Sequence, residues 1–317
     1  MKTTLIFGLC LFLPLQSESW GFYSHMRINL LAVYTLPAGM SRFYKNNSTY
    51  ISSHATDPDK RRYADTAEAP RHYLDVEAYD AEIDSVPRKW DLALKKYGLA
   101  ELNKNGILPW QIQRSYYKLV NAFRERDSIR ILINSAYLGH YLADAHVPLH
   151  TTVNHNGQLT NQIGIHAFWE SRLPELFSVK YNFLVGPANY ISDPLNETWK
   201  ILSRTHGLVN EVLDKEAKLS SSFPNYRKFS YAKRKNVLSR QYSFEYSRDY
   251  HLKLNHMVEK QMRASVLAIG SFWFSAWVDG GQPILEHMIK AIPDSTGPGE
   301  KTVELKFRQG RIIGREN

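Results

Sequence analysis

The sequence predicts an all-α protein, a single helical bundle with long loops between its helices. Two observations carry this. Apolar residues recur at helical spacing over several long segments, and strand-like alternation is scarce. Proline and glycine then punctuate the helical segments rather than short strands.

The elements follow in order. From Pro109, a good first-turn residue, Ile112, Tyr116, Leu119, Val120 and Phe123 make one apolar stripe. A second helix is expected over Asp127 to Val147, limited by Pro148, with Ile129, Ile133 and Ala136 on its apolar face. A shorter one covers His166 to Arg172, before Pro174. A long one, broken once, covers Arg234 to Val278 and ends at Gly280 and Gly281. Residues 57–80 and 154–164 read as loops, and loops of that length in a compact domain are often functional.

At the start, Lys2 followed by the apolar run Leu5 to Leu15 and by Ser17 and Ser19 reads as a secretory signal over residues 1–19. Cleavage after Ser19 would leave Trp20 first and send the protein to the periplasm or the exterior. No later stretch is long and apolar enough to span a membrane. The folded domain is expected over 20–293, and 294–317, rich in Ser, Gly, Pro and charge, as a flexible tail.

The net charge of +9 suits a phosphate-rich partner such as nucleic acid or an anionic membrane, and equally a soluble surface. The only cysteine, Cys10, lies in the signal. An exported chain without disulfides leans on its core or on bound metal, and any metal must be held by His, Asp, Glu and backbone groups. That donor set is the one used by catalytic zinc.

Donors of this kind occur at helical spacing. On the second helix His140 and Asp144 lie one turn apart and point inward, and His150 follows just after Pro148. A buried carboxylate costs several kcal/mol unless it is paired or binds a metal. His166 and Glu170 repeat the spacing of four. Asp57 and His72 lie upstream on loops. At residue 20 stands Trp-Gly-Phe-Tyr-Ser-His, ending at His25. No HExxH pattern of a zinc protease appears.

WGFYSH at 20, Asp57, His72, GHYLADAHVPLH ending at His150 and HAFWES from His166 come in an order that resembles the superfamily of zinc-dependent phospholipases C and single-strand nucleases of the S-one/P-one type. The resemblance implies three zinc ions in one cleft. Asp57, His72, His140 and Asp144 would hold the first. The amine and carbonyl of Trp20, with His25 and Asp144, would hold the second, so that Asp144 bridges. His150, His166 and Glu170 would hold the third. It further implies hydrolysis of a phosphodiester by metal-activated water, with Asp75 orienting the water, Lys60 contacting phosphate and Tyr73 stacking on a base.

The resemblance leaves two branches. The spacing of five from Trp20 to His25 is that of the nucleases, and Tyr23 and Pro58 replace residues that hold choline in the bacterial phospholipases. These features favour a single-strand nuclease or 3′-nucleotidase acting on single-stranded nucleic acid or nucleotides. Glu170 in place of Asp, the lack of disulfide cysteines and the short loop 151–165 favour the alternative, a phospholipase C acting on phospholipid. A non-catalytic zinc-binding protein is disfavoured because every ligand position is filled.

Overall fold

The computed structural model describes residues 21–286 apart from 81, 235 and 236, together with 288, 302, 303, 305 and 306. The signal, Trp20 and most of the expected tail lie outside the described residues. Helices of eight residues or more are α1 (Phe22–Ala32), α2 (Ala38–Asn46), α3 (Trp90–Asn105), α4 (Leu108–Arg124), α5 (Ser128–Asp144), α6 (Pro194–His206), α7 (Val209–Ser222), α8 (Phe244–Lys253) and α9 (Met257–Asp279). A hairpin of β1 (Phe229–Arg234) and β2 (Val237–Tyr242) separates α7 from α8. The all-α expectation holds, with this hairpin as the sole sheet among the described residues. No helix among them is long and apolar enough to cross a membrane.

Helix α4 buries the whole expected stripe, Ile112, Tyr116, Leu119, Val120 and Phe123. It packs on α5, α6 and α9, with Tyr116 edge-on to Phe272. Helix α5 starts where Asp127 accepts a hydrogen bond from the Arg130 amide at 3.0 Å and caps the free end. Its buried face differs from the expected one. Ile129 is 45% exposed and Ile133 is half-buried, whereas Ile131, Leu132, Ser135 and Ala136 are buried. The helix is covered by α1, α4 and α9, so burial extends well around it.

The close approach of α1 to α5 positions the site. A Cβ on Gly139 would lie 2.2 Å from Asn29 Oδ1, so only glycine admits that side chain. Asn29 uses the space to donate to the Ala136 carbonyl at 3.0 Å. One turn back along α1 is His25. One residue along α5 is His140, and the two rings stack with centroids 3.9 Å apart.

The expected helix from Arg234 is a correction. Arg234 ends β1, and helix resumes only at Phe244, where Ser243 caps α8. The expected single break falls between α8 and α9, where Asn255 and His256 take positive φ. The expected loop 57–80 contains short helical turns, Asp57–Arg61, Ala69–His72 and Val76–Tyr79.

Candidate metal centre

Four donor atoms converge from α5 and the turns before α3. His72 Nδ1 lies 3.0 Å from Asp144 Oδ2 and 3.0 Å from His140 Nε2. His140 Nε2 is 3.2 Å from Asp144 Oδ2 and 3.8 Å from Asp59 Oδ1, and His72 Nδ1 is 3.7 Å from Asp59 Oδ1. A tetrahedral zinc with ligands at roughly 2.0–2.1 Å sets its donor atoms roughly 3.3 Å apart. The observed separations bracket that edge.

A second group adjoins the first. His25 Nε2 lies 3.4 Å from Asp144 Oδ1 and 3.9 Å from Asp59 Oδ2. Neither nitrogen of buried His25, nor Asp144 Oδ1, has a hydrogen-bond partner among the described residues. Orphaned buried donors of this kind fit a cation between them. The third group is His150, His166 and Glu170, with Glu170 Oε2 at 3.4 Å from His150 Nε2 and 3.1 Å from His166 Nε2. His166 and Glu170 span a stretch of π-helix, Phe168–Arg172, whose wider turn holds both donors on one side. His150 Nδ1 is 3.7 Å from Asp144 Oδ1, so the groups share one cleft.

Backbone contacts fix the ring orientations. His140 Nδ1 donates to the Ala55 carbonyl at 2.8 Å, and His150 Nδ1 donates to the His72 carbonyl at 2.6 Å. Each then presents an Nε2 lone pair to the cleft. The Leu74 amide returns a bond to the His150 carbonyl at 2.9 Å, which ties the His72 and His150 segments together.

Two acids were missed in the sequence. Asp59, not Asp57, joins His72 and His140. Asp57 and Asp59 sit on one helical turn, where residues two apart point to opposite sides. Asp57 faces outward, 2.5 Å from His54 Nδ1 and 3.3 Å from Lys60 Nζ. Lys60 is thus engaged with Asp57 rather than directed at the donors. The second is Glu68, fully buried, with Oε1 3.5 Å from His72 Nε2. Arg61 and Arg71 hold its other oxygen at 3.1 and 2.6 Å, and the Tyr141 hydroxyl donates to Oε1. Such a carboxylate behind a histidine orients the ring and raises its basicity. The spacing of four between Glu68 and His72 was the available signal.

Tyr73 departs from expectation. It is only 6% exposed and its hydroxyl donates to the Lys104 carbonyl at 3.1 Å, so its ring is largely covered. Next to His72 along an extended backbone, it turns away from the donors. Asp75 is buried, its amide bonded to the Asn105 carbonyl at 2.8 Å, and belongs to none of the three groups. Trp20 lies outside the described residues, but Gly21 donates to Ser171 Oγ at 3.1 Å, beside Glu170.

The electrostatics match a cation site. Burial alone would raise the Glu170 pKa, yet His166 and His150 bring it down to about 2. Burial likewise opposes ionisation of Asp144, but His140 and His150 hold its pKa well below the usual range. Burial disfavours charge on His72, and Asp144 with Glu68 overcomes this and pushes its pKa up to about 9. His150 is also raised, against burial, by Asp144 and Glu170. The metal-free chain therefore keeps a proton on His72 at neutral pH, and a metal must displace it. Zinc affinity is expected to rise with pH from about 6 to about 8, roughly tenfold per unit for each proton displaced. Isothermal titration of metal-free protein across that range checks this. A pH-independent affinity would contradict it.

No curated protein matches the sequence. The sequence profile of a family described as zinc-dependent phospholipase C matches residues 24–229, more than half of the chain and a span that contains all three donor groups. The chain belongs to the zinc-dependent phospholipase C family and is a zinc-dependent hydrolase of phosphate esters.

Proposed function

We propose that this enzyme is a phospholipase C that cleaves the phosphodiester between the glycerol and the headgroup of a phospholipid. The family description is the observation that carries this choice over the nuclease reading. The covered ring of Tyr73 supports it, because a nuclease needs an open aromatic face for a base.

In this reading His72, His140, Asp59 and Asp144 would hold one zinc. His25, Asp144 and the expected terminal Trp20 would hold another, and His150, His166 and Glu170 the third. His140 serves only one ion, since its Nδ1 is spent on Ala55. Zinc bound here supplies positive charge that activates water and stabilises the phosphoryl oxygens. Asp59, Asp144 and Glu170 balance that charge. Glu68 holds the His72 ring so that Nδ1 faces the cleft. Asp75 is assigned to orienting the attacking water. Lys60 and Tyr73 take no part.

The test is to offer the purified zinc-loaded protein phospholipids of several headgroups, single-stranded DNA and RNA, and 3′-nucleotides. Release of diacylglycerol with a phosphorylated headgroup is expected. Cleavage of single strands with no phospholipid hydrolysis would restore the nuclease reading.

A further inference from the structure

The hairpin stands apart from the helical body in chemistry as well as shape. It begins at Phe229, where the family match ends. Residues 226–242 contain six Lys or Arg and no Asp or Glu. Two of these cations are neutralised within the protein, Lys228 by Glu216 at 3.0 Å and Arg227 by Glu245 at 2.6 Å. The sequence of the hairpin adds Lys233, Arg234, Lys235 and Arg240 and no acid, and the Arg240 guanidinium lies over the Phe229 ring at 3.7 Å.

Apolar groups accompany these charges. Strand register pairs Phe229 with Tyr242 and Tyr231 with Arg240, and period two puts Leu238 on the same face. Along that face burial falls away from the base. At the base, Tyr242 stacks on Phe168 at 3.8 Å. Further out, Tyr231 is 67% and Leu238 68% exposed. Tyr226 and Phe244, flanking the hairpin, are 85% and 54% exposed. An isolated two-stranded hairpin is marginal in water, and here its exposed side chains gain nothing from the core. Phe168, the anchor of the base, lies between His166 and Glu170, so the hairpin rises beside the third donor group.

We propose that this hairpin docks the enzyme on an anionic phospholipid surface, with Tyr231 and Leu238 entering the headgroup region and the cations meeting lipid phosphates. Charge complementarity selects the partner, and the aliphatic Leu238 beside tyrosine suits an interface better than a stack of bases. The proposal rests on the phospholipid reading of the site and adds where the bilayer meets the protein.

The test is cosedimentation of the full zinc-loaded protein with vesicles of phosphatidylcholine alone or with about 30% phosphatidylglycerol, at low and high salt. Hydrolysis of a short-chain phospholipid below its micelle concentration runs in parallel. Wild type should bind anionic vesicles preferentially, and less so in salt. Tyr231→Ser with Leu238→Ser should weaken partition about tenfold. Lys233→Gln, Arg234→Gln and Lys235→Gln together should weaken it on the order of a hundredfold. Both variants should cleave the monomeric lipid at the wild-type rate, which also shows that they fold. Unchanged partition in both variants, with monomer still cleaved, would overturn the docking surface and leave the phospholipase reading. Binding of single-stranded oligonucleotide by these residues, with no vesicle binding, would also overturn it. Hairpin-dependent vesicle binding with no cleavage of monomer would keep the surface and remove the phospholipase reading.

Discussion

Asp144→Asn is expected to abolish most turnover while α5 stays folded. Asp144 is fully buried and its two oxygens face different donors, Oδ2 toward His72 and His140 and Oδ1 toward His25. An amide keeps the size but removes the charge, and its nitrogen cannot donate an electron pair to a cation. One substitution thus weakens two metal positions at once. Loss of a mere outer partner of a ligand costs about 10–100-fold, so removal of this group should exceed a hundredfold in kcat/KM. Steady-state kinetics, with far-UV circular dichroism to confirm helix content, measure this. Near-normal turnover would show that Asp144 does not bridge.

The second large effect separates two acids that stand two residues apart. Asp59→Asn should lose zinc and activity by about a hundredfold or more, because Asp59 lies among His72, His140 and His25 at 3.7–3.9 Å. Asp57→Asn should stay within a few-fold of wild type, since it removes only a partly exposed pair with His54 and Lys60, worth about 0–1 kcal/mol. Zinc content and kinetics of the two variants, side by side, decide the matter. The reverse ranking would return the ligand role to Asp57.

The helical core was legible because its patterns are long. The stripe on α4 and the Asp127 cap of α5 are local signals that tertiary packing reinforces. The pairs His140 with Asp144 and His166 with Glu170 were legible for the same reason, since helical spacing fixes which donors share a face, whereas His150, beyond Pro148, came from the resemblance alone. Asp59 was hidden because resemblance by spacing cannot tell two acids on one short turn apart, whereas a rotation of about 200° between them can. Glu68 was hidden because its role appears only once Arg61, Arg71, Tyr141 and His72 surround it, and three of these come from its own loop segment. The hairpin was hidden because Lys233, Arg234 and Lys235 interrupt the alternation of Phe229 and Tyr231, and strand preference depends on packing partners such as Phe168 far away in the chain. The placement of Tyr73 was not legible, because a residue beside a donor alternates away from it, here onto the Lys104 carbonyl.

The central claim is that three buried donor groups hold zinc. Elemental analysis of the purified protein, dialysed against metal-free buffer, measures it most directly. The account predicts about three zinc ions per chain, one for each cluster of the cleft. A reproducible value of one or fewer would contradict it.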